Sequence, residues 1–130
     1  MTHRATPVPV PSWVGQLMCE IDTLDFGEGF ARTTDDTEMF FGTAHVVGAE
    51  AIKAFFVKID EPLHIAHTVL ECWDTPDGVL FLRGEATMAK KTDPDTTVRA
   101  PFMHLYRLDD SGRIRTIHIT AGPLHTDAVM

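Results

Sequence analysis

The spacing of apolar residues changes within residues 42–73, and this change predicts a helix followed directly by a strand. Apolar side chains first recur at spacings of three and four, at Ile52, Phe55, Phe56 and Ile59. This spacing places them on one face of a helix over residues 49–59. Gly48 precedes the helix, where the backbone needs conformational freedom, and Pro62 ends it because proline cannot donate a helical hydrogen bond.

After the proline, the pattern is typical of a strand over residues 64–73, since β-branched residues such as Thr68 favour extended backbone. Simple alternation would place one set of side chains on a common face, namely His67, Val69, Glu71 and Trp73. A single histidine and a single tryptophan on such a strand are more often core residues than catalytic ones. A functional interpretation therefore needs partners from other elements.

Polar turns divide the rest of the C-terminal half into strands. The sequence Thr75-Pro76-Asp77-Gly78 is a strong hairpin turn, and Asp-rich turns follow at residues 93–95 and 109–112. Strands are therefore predicted over residues 79–90, 97–108 and 113–120, the last of them ended by Pro123. Together with residues 64–73 they make a four-stranded antiparallel meander.

Helical signals dominate the N-terminal half. Prolines at alternate positions predict an extended arm over residues 1–12, and Ser12 is a good N-cap for a helix that begins at Trp13. A short second helix is predicted at Phe30 and Ala31, and a short strand over residues 38–41. Helices followed by a run of strands predict one α+β domain over residues 13–130, with the helices packed on the concave face of a curved sheet. The mouth of such a cone is a natural site for a small molecule.

Composition excludes several functional classes. The formal charge is −8, from 11 basic and 19 acidic residues, and without a basic stripe a nucleic-acid partner is not expected. No apolar run is long enough to span a membrane, and no signal peptide is evident, so we expect a cytoplasmic protein with no membrane partner. Cys19 and Cys72 do not suggest a disulfide framework and are interpreted as buried thiols.

Few residues that titrate near neutral pH fall on the predicted core elements. A carboxylate beside an imidazole fixes its tautomer and raises its basicity, so Asp22 with His67 would form a general base if the first helix crosses that strand. Arg83 and Glu85 share a strand face. They are either part of the site or an ordinary surface pair.

Two further histidines, His104 and His118, are interpreted as hydrogen-bonded core residues or as residues of a dimer interface. No grouping of His, Cys and carboxylate residues has the spacing of a metal site, so no metal is predicted. No glycine-rich phosphate loop is present, and no cofactor is predicted. The two serines, Ser12 and Ser111, both lie at element ends, which argues against a serine nucleophile.

An ordered set of motifs resembles the SnoaL-like branch of the nuclear-transport-factor-like, ketosteroid-isomerase-like superfamily, over about residues 13–124. The motifs are Ile21-Asp22-x-x-Asp25, Phe40-Phe41-Gly42, Val47-Gly48-x-Glu50-Ala51-Ile52, His67 followed by Trp73, Arg83-Gly84-Glu85-Ala86-Thr87, Pro101-Phe102 and Gly112-Arg113-Ile114. The resemblance implies a cone-shaped α+β barrel with a deep apolar pocket, often dimeric through its sheet. Such a fold hosts isomerases, dehydratases, cyclases, epoxide hydrolases and binding modules, so it does not fix the function.

The resemblance also implies roles for single residues. Asp22 and His67 occupy the positions of the aspartate and histidine that work together in scytalone-dehydratase-like members, with Glu85 in place of a second histidine. Arg83 and Glu85 resemble the Arg-x-Asp pair of limonene-epoxide-hydrolase-like members. The last strand, however, holds no aspartate between Asp110 and Asp127, which argues against epoxide hydrolysis and against cyclases that use an acid there. Ketosteroid isomerases carry an aspartate base at the position that Phe41 or Gly42 occupies here. The resemblance therefore argues against their mechanism.

The sequence therefore predicts a lyase- or isomerase-type enzyme for an apolar, possibly cyclic substrate, with His67 as the general base, Asp22 as its partner, and Glu85 or Arg83 orienting a substrate oxygen. The alternative is a binding or dimerisation module in which Asp22 and His67 are only a buried pair. The expected pocket wall comprises Trp13, Met18, Phe56, Trp73, Met88 and Met103, with His118 as a further ligand contact. A homodimer through the sheet is expected from apolar residues beyond the needs of one layer, namely Phe81, Met103, Tyr106, Ile117 and Ile119.

Overall fold

The computed structural model, which describes residues 5–122, contains two helices packed against one face of a single sheet. The helices are α1 (Ser12–Thr23) and α2 (Ala49–Asp60), and a 3₁₀ turn covers Phe30–Arg32. The strands are β1 (Thr6–Pro7), β2 (Glu38–Phe41), β3 (Ala44–Val47), β4 (Leu63–Asp74), β5 (Val79–Lys90), β6 (Asp93–Leu108) and β7 (Ile114–Ala121). This is the α+β architecture that the sequence predicts.

Within the described residues, the seven strands form one curved, unclosed sheet in the order β1-β4-β5-β6-β7-β2-β3. The predicted meander β4–β7 makes its centre, and only the β2–β7 pair is parallel. Strand β3 was not predicted, since residues 42–48 looked like a simple turn into α2. Strand β6 also begins earlier than predicted, at Asp93, because the turn after β5 is tighter than residues 93–95 suggest.

The predicted arm contributes an edge strand. Thr6 and Pro7 pair with Asp74 and Trp73 of β4, and the N–H of Val8 donates to the carbonyl oxygen of Cys72 at 2.9 Å. Residues 1–4 of the arm and residues 123–130, including the predicted strand end at Pro123, lie outside the described residues.

The start of α2 agrees with the sequence. Gly48 has φ 96° and ψ 146°, a conformation that L side chains rarely adopt, which explains the glycine before the helix. The helix ends at Asp60, two residues before Pro62. No helix in the described part of the chain is long and apolar enough to cross a membrane.

A β-bulge interrupts the alternation of β4. Val69 lies opposite Gly84 of β5, whereas Glu71 lies opposite Arg83, so Leu70 is an extra residue without a cross-strand partner. An extra residue shifts the alternation by one position. The two halves of β4 therefore direct opposite sets of side chains toward the helices.

The bulge overturns the predicted placement of Trp73. In the structure Cys72, not Trp73, shares the inner face with His67, and Cys72 is buried. Trp73 lies on the outer face, where its ring centroid is 5.6 Å from that of Phe81. Cys19 also departs from the expectation of buried thiols, because it lies on the solvent side of α1.

Gly84 allows close contact at the bulge. A Cβ atom at this position would lie 2.0 Å from the backbone oxygen of Thr68 and 2.7 Å from Cζ of Phe102. Neither neighbour could tolerate that contact without moving, so the position requires glycine. The result is that β4 and the ring of Phe102 approach β5 closely beside His67.

The inner faces of β6 and β7 hold residues that were expected at a dimer interface. Tyr106 lies opposite Ile117, and both are buried with Ile119 in the core beneath the helices. Directly opposite residues share a face of the sheet. Of the five apolar residues predicted at the interface, only Phe81 and Met103 remain on the outer face.

A buried carboxylate organises the loop after α1. Oε1 of Glu20 accepts hydrogen bonds from the N–H groups of Gly27 (2.7 Å) and Phe30 (3.1 Å), and Oε2 accepts from the N–H of Gly29 (2.7 Å). The side chain of Gln16 also donates to Oε2, at 2.7 Å. Burial alone would raise the pKa of Glu20, but these hydrogen bonds outweigh it and lower the pKa below its ordinary value. Glu20 is therefore an anion that holds the chain between α1 and the 3₁₀ turn.

Candidate active site

A cavity of about 310 Å³ lies between the helices and the inner face of the sheet. Its wall is mostly apolar and is built by α1, α2 and five strands. The larger apolar side chains are Ile21, Phe41, Phe56, Ile59, Leu63, Ile65, Met88, Phe102 and Ile119. Three side chains in the same wall can exchange protons or donate hydrogen bonds: Asp60, His67 and His104. A concave apolar site with a few polar groups is the usual form of a small-molecule site.

Asp22 of α1 and His67 of β4 are in direct contact at this wall. Nδ1 of His67 lies 2.5 Å from Oδ1 of Asp22, and the backbone N–H of His67 donates to Oδ2 at 3.1 Å. The carboxylate therefore holds both the ring and the backbone of the histidine. This contact confirms the predicted pairing of the first helix with the first long strand.

The pairing selects one histidine tautomer. Because a carboxylate can only accept, the hydrogen in the short contact belongs to Nδ1 of His67. In the neutral ring, Nε2 then carries the lone pair, and it has no hydrogen-bond partner among the described residues. The ring packs edge-to-face on Phe102, with centroids 5.1 Å apart, which fixes its orientation. An oriented imidazole with a free Nε2 in an apolar cavity is suited to accept a proton.

His104 has a different role. It is 3% exposed, and its Nδ1 lies 2.7 Å from the hydroxyl of Tyr106, which makes it the hydrogen-bonded core residue that the sequence allowed. Burial, together with the charge of His67, lowers the pKa of His104 to about 3. His104 is therefore neutral at physiological pH and contributes a hydrogen-bonding edge to the cavity rather than a charge.

Asp60, the last residue of α2, is the polar group that the sequence analysis missed. It is 6% exposed and lines the cavity, and its side chain makes no hydrogen bond with another described residue. Burial raises the pKa of Asp60 to about 6; the charge of His67 opposes this effect and that of Asp22 adds to it. A signal did exist in the sequence, since Asp60 follows Ile52 and Phe56 at spacings of four and so continues the buried stripe of the helix.

The cavity is poor in positive charge. Among the described residues, no lysine or arginine lines it. The described residues also contain no group of three His, Cys, Asp or Glu side chains that could hold a metal ion. The side chains of this wall that can exchange protons are the imidazoles of His67 and His104 and the carboxyl group of Asp60.

Arg83 and Glu85 do not reach this cavity. Both lie on the outer face of β5, because Gly84 and Ala86 between and after them face inward. Arg83 pairs with Glu71, and Glu85 accepts a hydrogen bond from Arg99 at 2.7 Å. The prediction that they orient a substrate oxygen is thus wrong, and the exposed ion pairs match the surface alternative that the sequence left open.

Of the predicted pocket wall, Phe56 and Met88 line the cavity. Met103 and His118 do not, because strand alternation turns them to the outer face between inward-facing neighbours. Met103 is 44% exposed, and the ring of His118 stacks on Phe40 with centroids 4.8 Å apart. Trp73 is displaced by the bulge in β4.

The two predicted wall residues from α1 also lie elsewhere. Trp13 packs edge-to-face on Tyr106, with centroids 5.5 Å apart, and the guanidinium carbon of Arg32 lies 5.1 Å above its ring. This contact belongs to the core beyond His104 rather than to the cavity. Met18 is buried in the core, and Ile21, almost one helical turn later, takes the expected place in the wall.

Comparison with known proteins supports the fold. No family profile matches the sequence, and no curated protein matches it. Solved structures do match. A protein from Shewanella putrefaciens named as a SnoaL-like polyketide cyclase superposes with TM-score 0.72 at 12% identity, covering 88% of this chain and 92% of that one.

Two other solved structures are similar. An LEH-like epoxide hydrolase of M. tuberculosis superposes with TM-score 0.68 at 13% identity, covering 85% of this chain and 80% of that one. A protein with a ketosteroid isomerase-like fold from Catenulispora acidiphila, in complex with trimethylamine, superposes with TM-score 0.71 at 15% identity, covering 86% of each chain. At these identities the likeness establishes the fold, and it confirms at that level the resemblance to SnoaL-like, nuclear-transport-factor-like proteins.

Proposed function

We propose that the protein is a small-molecule enzyme of lyase or isomerase type in which His67 is the general base. The observation that carries the proposal is the short hydrogen bond between Asp22 and His67, because the ring of His67 lies in the wall of an apolar cavity. The pair orients Nε2 of His67 as the acceptor, and the carboxylate would stabilise the imidazolium formed when a proton is taken up. A base placed in this way contributes about 10²–10⁴-fold to a rate.

The reaction that suits these groups is removal of a proton from a carbon next to a carbonyl group. Removal of this proton forms an enolate. An apolar wall excludes water from the imidazole and keeps it close to the substrate. The substrate would be apolar and of a size that a cavity of about 310 Å³ admits, which includes single- and double-ring compounds. That proteins of this fold are named as a cyclase and an epoxide hydrolase supports an enzyme rather than a binding module.

A probe reaction tests the base without knowledge of the natural substrate. 5-Nitrobenzisoxazole is planar, neutral and apolar, and a base that removes its C–H proton opens the ring to a coloured phenolate. We expect the wild-type protein to accelerate this opening and His67→Asn to lower the accelerated rate by about 10²-fold, because asparagine cannot accept the proton. Asp22→Asn should lower the rate as well, since an amide can hold the wrong histidine tautomer. The measurement is the initial rate of phenolate formation.

A matched control uses His64, an exposed histidine of the same strand that does not line the cavity. His64→Asn should react as fast as the wild type. Thermal midpoints of the variants separate chemistry from folding, because a purely structural pair would lower stability by roughly 1–3 kcal/mol when one partner is removed. Equal rates for the wild type and a folded His67→Asn variant would contradict the proposal and leave a ligand-binding module as the function.

We also propose that the protein forms a homodimer through the outer face of the sheet. This face carries apolar side chains from neighbouring strands, including Phe40, Phe81 and Met103, and Met103 is 44% exposed. An interface of standard size would bury roughly 1,200–2,000 Å² in total.

Sedimentation velocity at micromolar concentration checks the assembly. The wild type should sediment as a dimer, and Met103→Glu should sediment as a monomer, because removing a carboxylate from water at the interface carries a desolvation cost of several kcal/mol. Val10→Glu makes the same change at an exposed apolar residue near α1 and should remain dimeric. A monomeric wild type would be inconsistent with this assembly.

A further inference from the structure

Asp60 is a buried acidic residue in the cavity wall that no described residue pairs. It is 6% exposed, and its carboxyl group has neither a hydrogen-bond partner nor an ion-pair partner among residues 5–122. Buried polar groups are almost always hydrogen-bonded, and buried charges are almost always paired. An unpaired carboxyl group that lines a cavity is therefore a group that a ligand can complete.

The position of Asp60 within α2 adds to the negative potential at this point. Asp60 is the last residue of the helix. The C-terminal end of a helix carries a partial negative charge, which a basic side chain usually complements. The basic residue of this turn, Lys58, is exposed and does not line the cavity. A carboxyl group and a helix C-terminus therefore coincide in the wall, and no lysine or arginine of the described chain lines the cavity to balance them.

The histidines of the cavity do not take the place of that missing cation. Burial lowers the pKa of His104 to about 3, so its ring is neutral at physiological pH. His67 donates its Nδ1 hydrogen to Asp22 and makes no hydrogen bond with Asp60. Burial raises the pKa of Asp60 to about 6, against the charge of His67, so the carboxyl group is mostly ionised above that pH. An ionised carboxylate can only accept hydrogen bonds, and its natural partner is a cationic donor.

We infer that the ligand of this cavity is an apolar amine, whose ammonium group pairs with Asp60 while its apolar part fills the space between the helices and the sheet. The inference rests on the proposed function where it makes this amine a substrate, and it adds one charged group to the apolar substrate proposed there. The rings of Phe41, Phe56 and Phe102 line the same cavity, and aromatic faces attract cations. The net charge of −8 gives the whole protein a field that favours cations as well.

The balance of hydration and charge favours an amine over other ligands. The carboxyl group of Asp60 is already withdrawn from water in the folded protein, so only the ammonium group has to lose its hydration when the two pair. Their hydrogen bond is charge-assisted and about twice as strong as a neutral one. An anion would meet the carboxylate and the helix C-terminus with no lysine or arginine of the described chain in the wall. The expected order of affinity is therefore cation, neutral molecule, anion.

Three single-ring probes of different charge test this order. Benzylamine is a cation at about pH 7.5, benzyl alcohol is its neutral analogue, and benzoate is an anion. Titration calorimetry on the full chain should show that benzylamine binds at least about tenfold more tightly than benzyl alcohol, because a hydrogen bond between charged groups adds a factor of about ten or more. Benzoate should bind most weakly.

Substitution of Asp60 assigns the preference to one side chain. Asp60→Asn should remove the preference for benzylamine and leave the affinity for benzyl alcohol within about threefold, because the amide keeps the shape but carries no charge. Asp95→Asn removes the same charge at an exposed position and should keep the preference. Urea unfolding shows that the compared proteins are folded. The order of the three probes on the wild type tests the ligand class even without a folded variant.

Failure of this inference can be told apart from failure of the proposed base. The amine class is wrong if the wild type binds benzyl alcohol as tightly as benzylamine, if it binds none of the probes, or if folded Asp60→Asn keeps the preference. The opening of 5-nitrobenzisoxazole then still tests His67 independently. If benzylamine is preferred through Asp60 but the wild type does not accelerate that opening, the ligand class stands and the catalytic role of His67 is wrong.

Discussion

Replacement of Glu20 by alanine is expected to lower the free energy of unfolding by about 3–6 kcal/mol, a large part of the stability of a typical domain. Glu20 accepts hydrogen bonds from the N–H groups of Gly29 and Phe30, which are buried, and from that of Gly27, which is exposed. Water can replace the carboxylate at Gly27 but not at the two buried donors. Each loss of a hydrogen bond to a charged group costs about 1.5–3 kcal/mol, and two such losses give the expected range.

Urea unfolding at neutral pH measures this effect, with Glu28→Ala as a control at an exposed glutamate of the same loop. The control should change stability by less than about 0.5 kcal/mol. Glu20→Gln should fall between the two, because the amide keeps the shape and one acceptor oxygen but loses the charge. A Glu20→Ala protein as stable as the control would show that the loop does not depend on the carboxylate.

The broad architecture was predictable because its signals are local. The apolar stripe of α2 and the polar turns at residues 75–78 and 109–112 depend on side chains close in sequence. These local signals predict the helix and the meander without knowledge of the elements that pack against them. Strand β3 was missed because residues 44–47 are short and follow a glycine, and their pairing with β2 is visible only once β2 is placed against β7.

The Asp22–His67 pair was predictable from the family resemblance, whereas most of the expected pocket wall was not. A single extra residue in β4 reverses the faces of that strand, and nothing in the sequence around Leu70 marks the bulge. Trp73 was misplaced for this reason. The error for Arg83 and Glu85 has a different cause. The family resemblance implied that they belong to the site, whereas their alternation with Leu82, Gly84 and Ala86 places them on the outer face.

Glu20 and Asp60 were overlooked because acidic residues are usually exposed. In both cases the position on the helix predicts burial better than the residue type does. Glu20 lies three residues after Leu17 on the buried side of α1, and Asp60 lies four after Phe56 on the buried side of α2. An acidic residue on an apolar helical stripe needs a partner or a ligand. Glu20 accepts hydrogen bonds from backbone N–H groups of a glycine-containing loop, and Asp60 lines the cavity.

The burial of Asp60 makes the stability of the protein depend on pH in a definite direction. Its pKa is raised from 3.8 in the unfolded chain to about 6 in the native protein. Between these values the native state retains a proton that the unfolded state has released, so native stability falls as pH rises through this window. The contribution of the protonated Asp60 to stability is complete at pH values below its pKa in the unfolded chain. It is lost at pH values above its pKa in the native protein. A shift of this size corresponds to at most roughly 3 kcal/mol, and to less where water in the cavity screens the carboxylate.

Asp60→Asn should remove this dependence, because an amide does not titrate. We expect the stability of the variant relative to the wild type, measured as the difference between their free energies of unfolding, to increase by up to roughly 3 kcal/mol from about pH 4 to about pH 8. His104 acts in the opposite direction, since its pKa is lowered from 6.5 to about 3 and its contribution is lost as pH falls through that range. It is present in both proteins, as are His67 and Asp22, so the difference between them isolates Asp60.

Urea unfolding of both proteins at the two pH values gives the four free energies that are needed. Asp95→Asn makes the same chemical change at an exposed position and shows how much of any difference comes from the loss of one negative charge. Wild-type and Asp60→Asn stabilities that change in parallel with pH would show that the carboxyl group is well solvated or paired in solution. A gap that widens from acid to neutral pH would show that the fold keeps this carboxyl group buried at a cost in stability, as expected for a group retained for its chemistry.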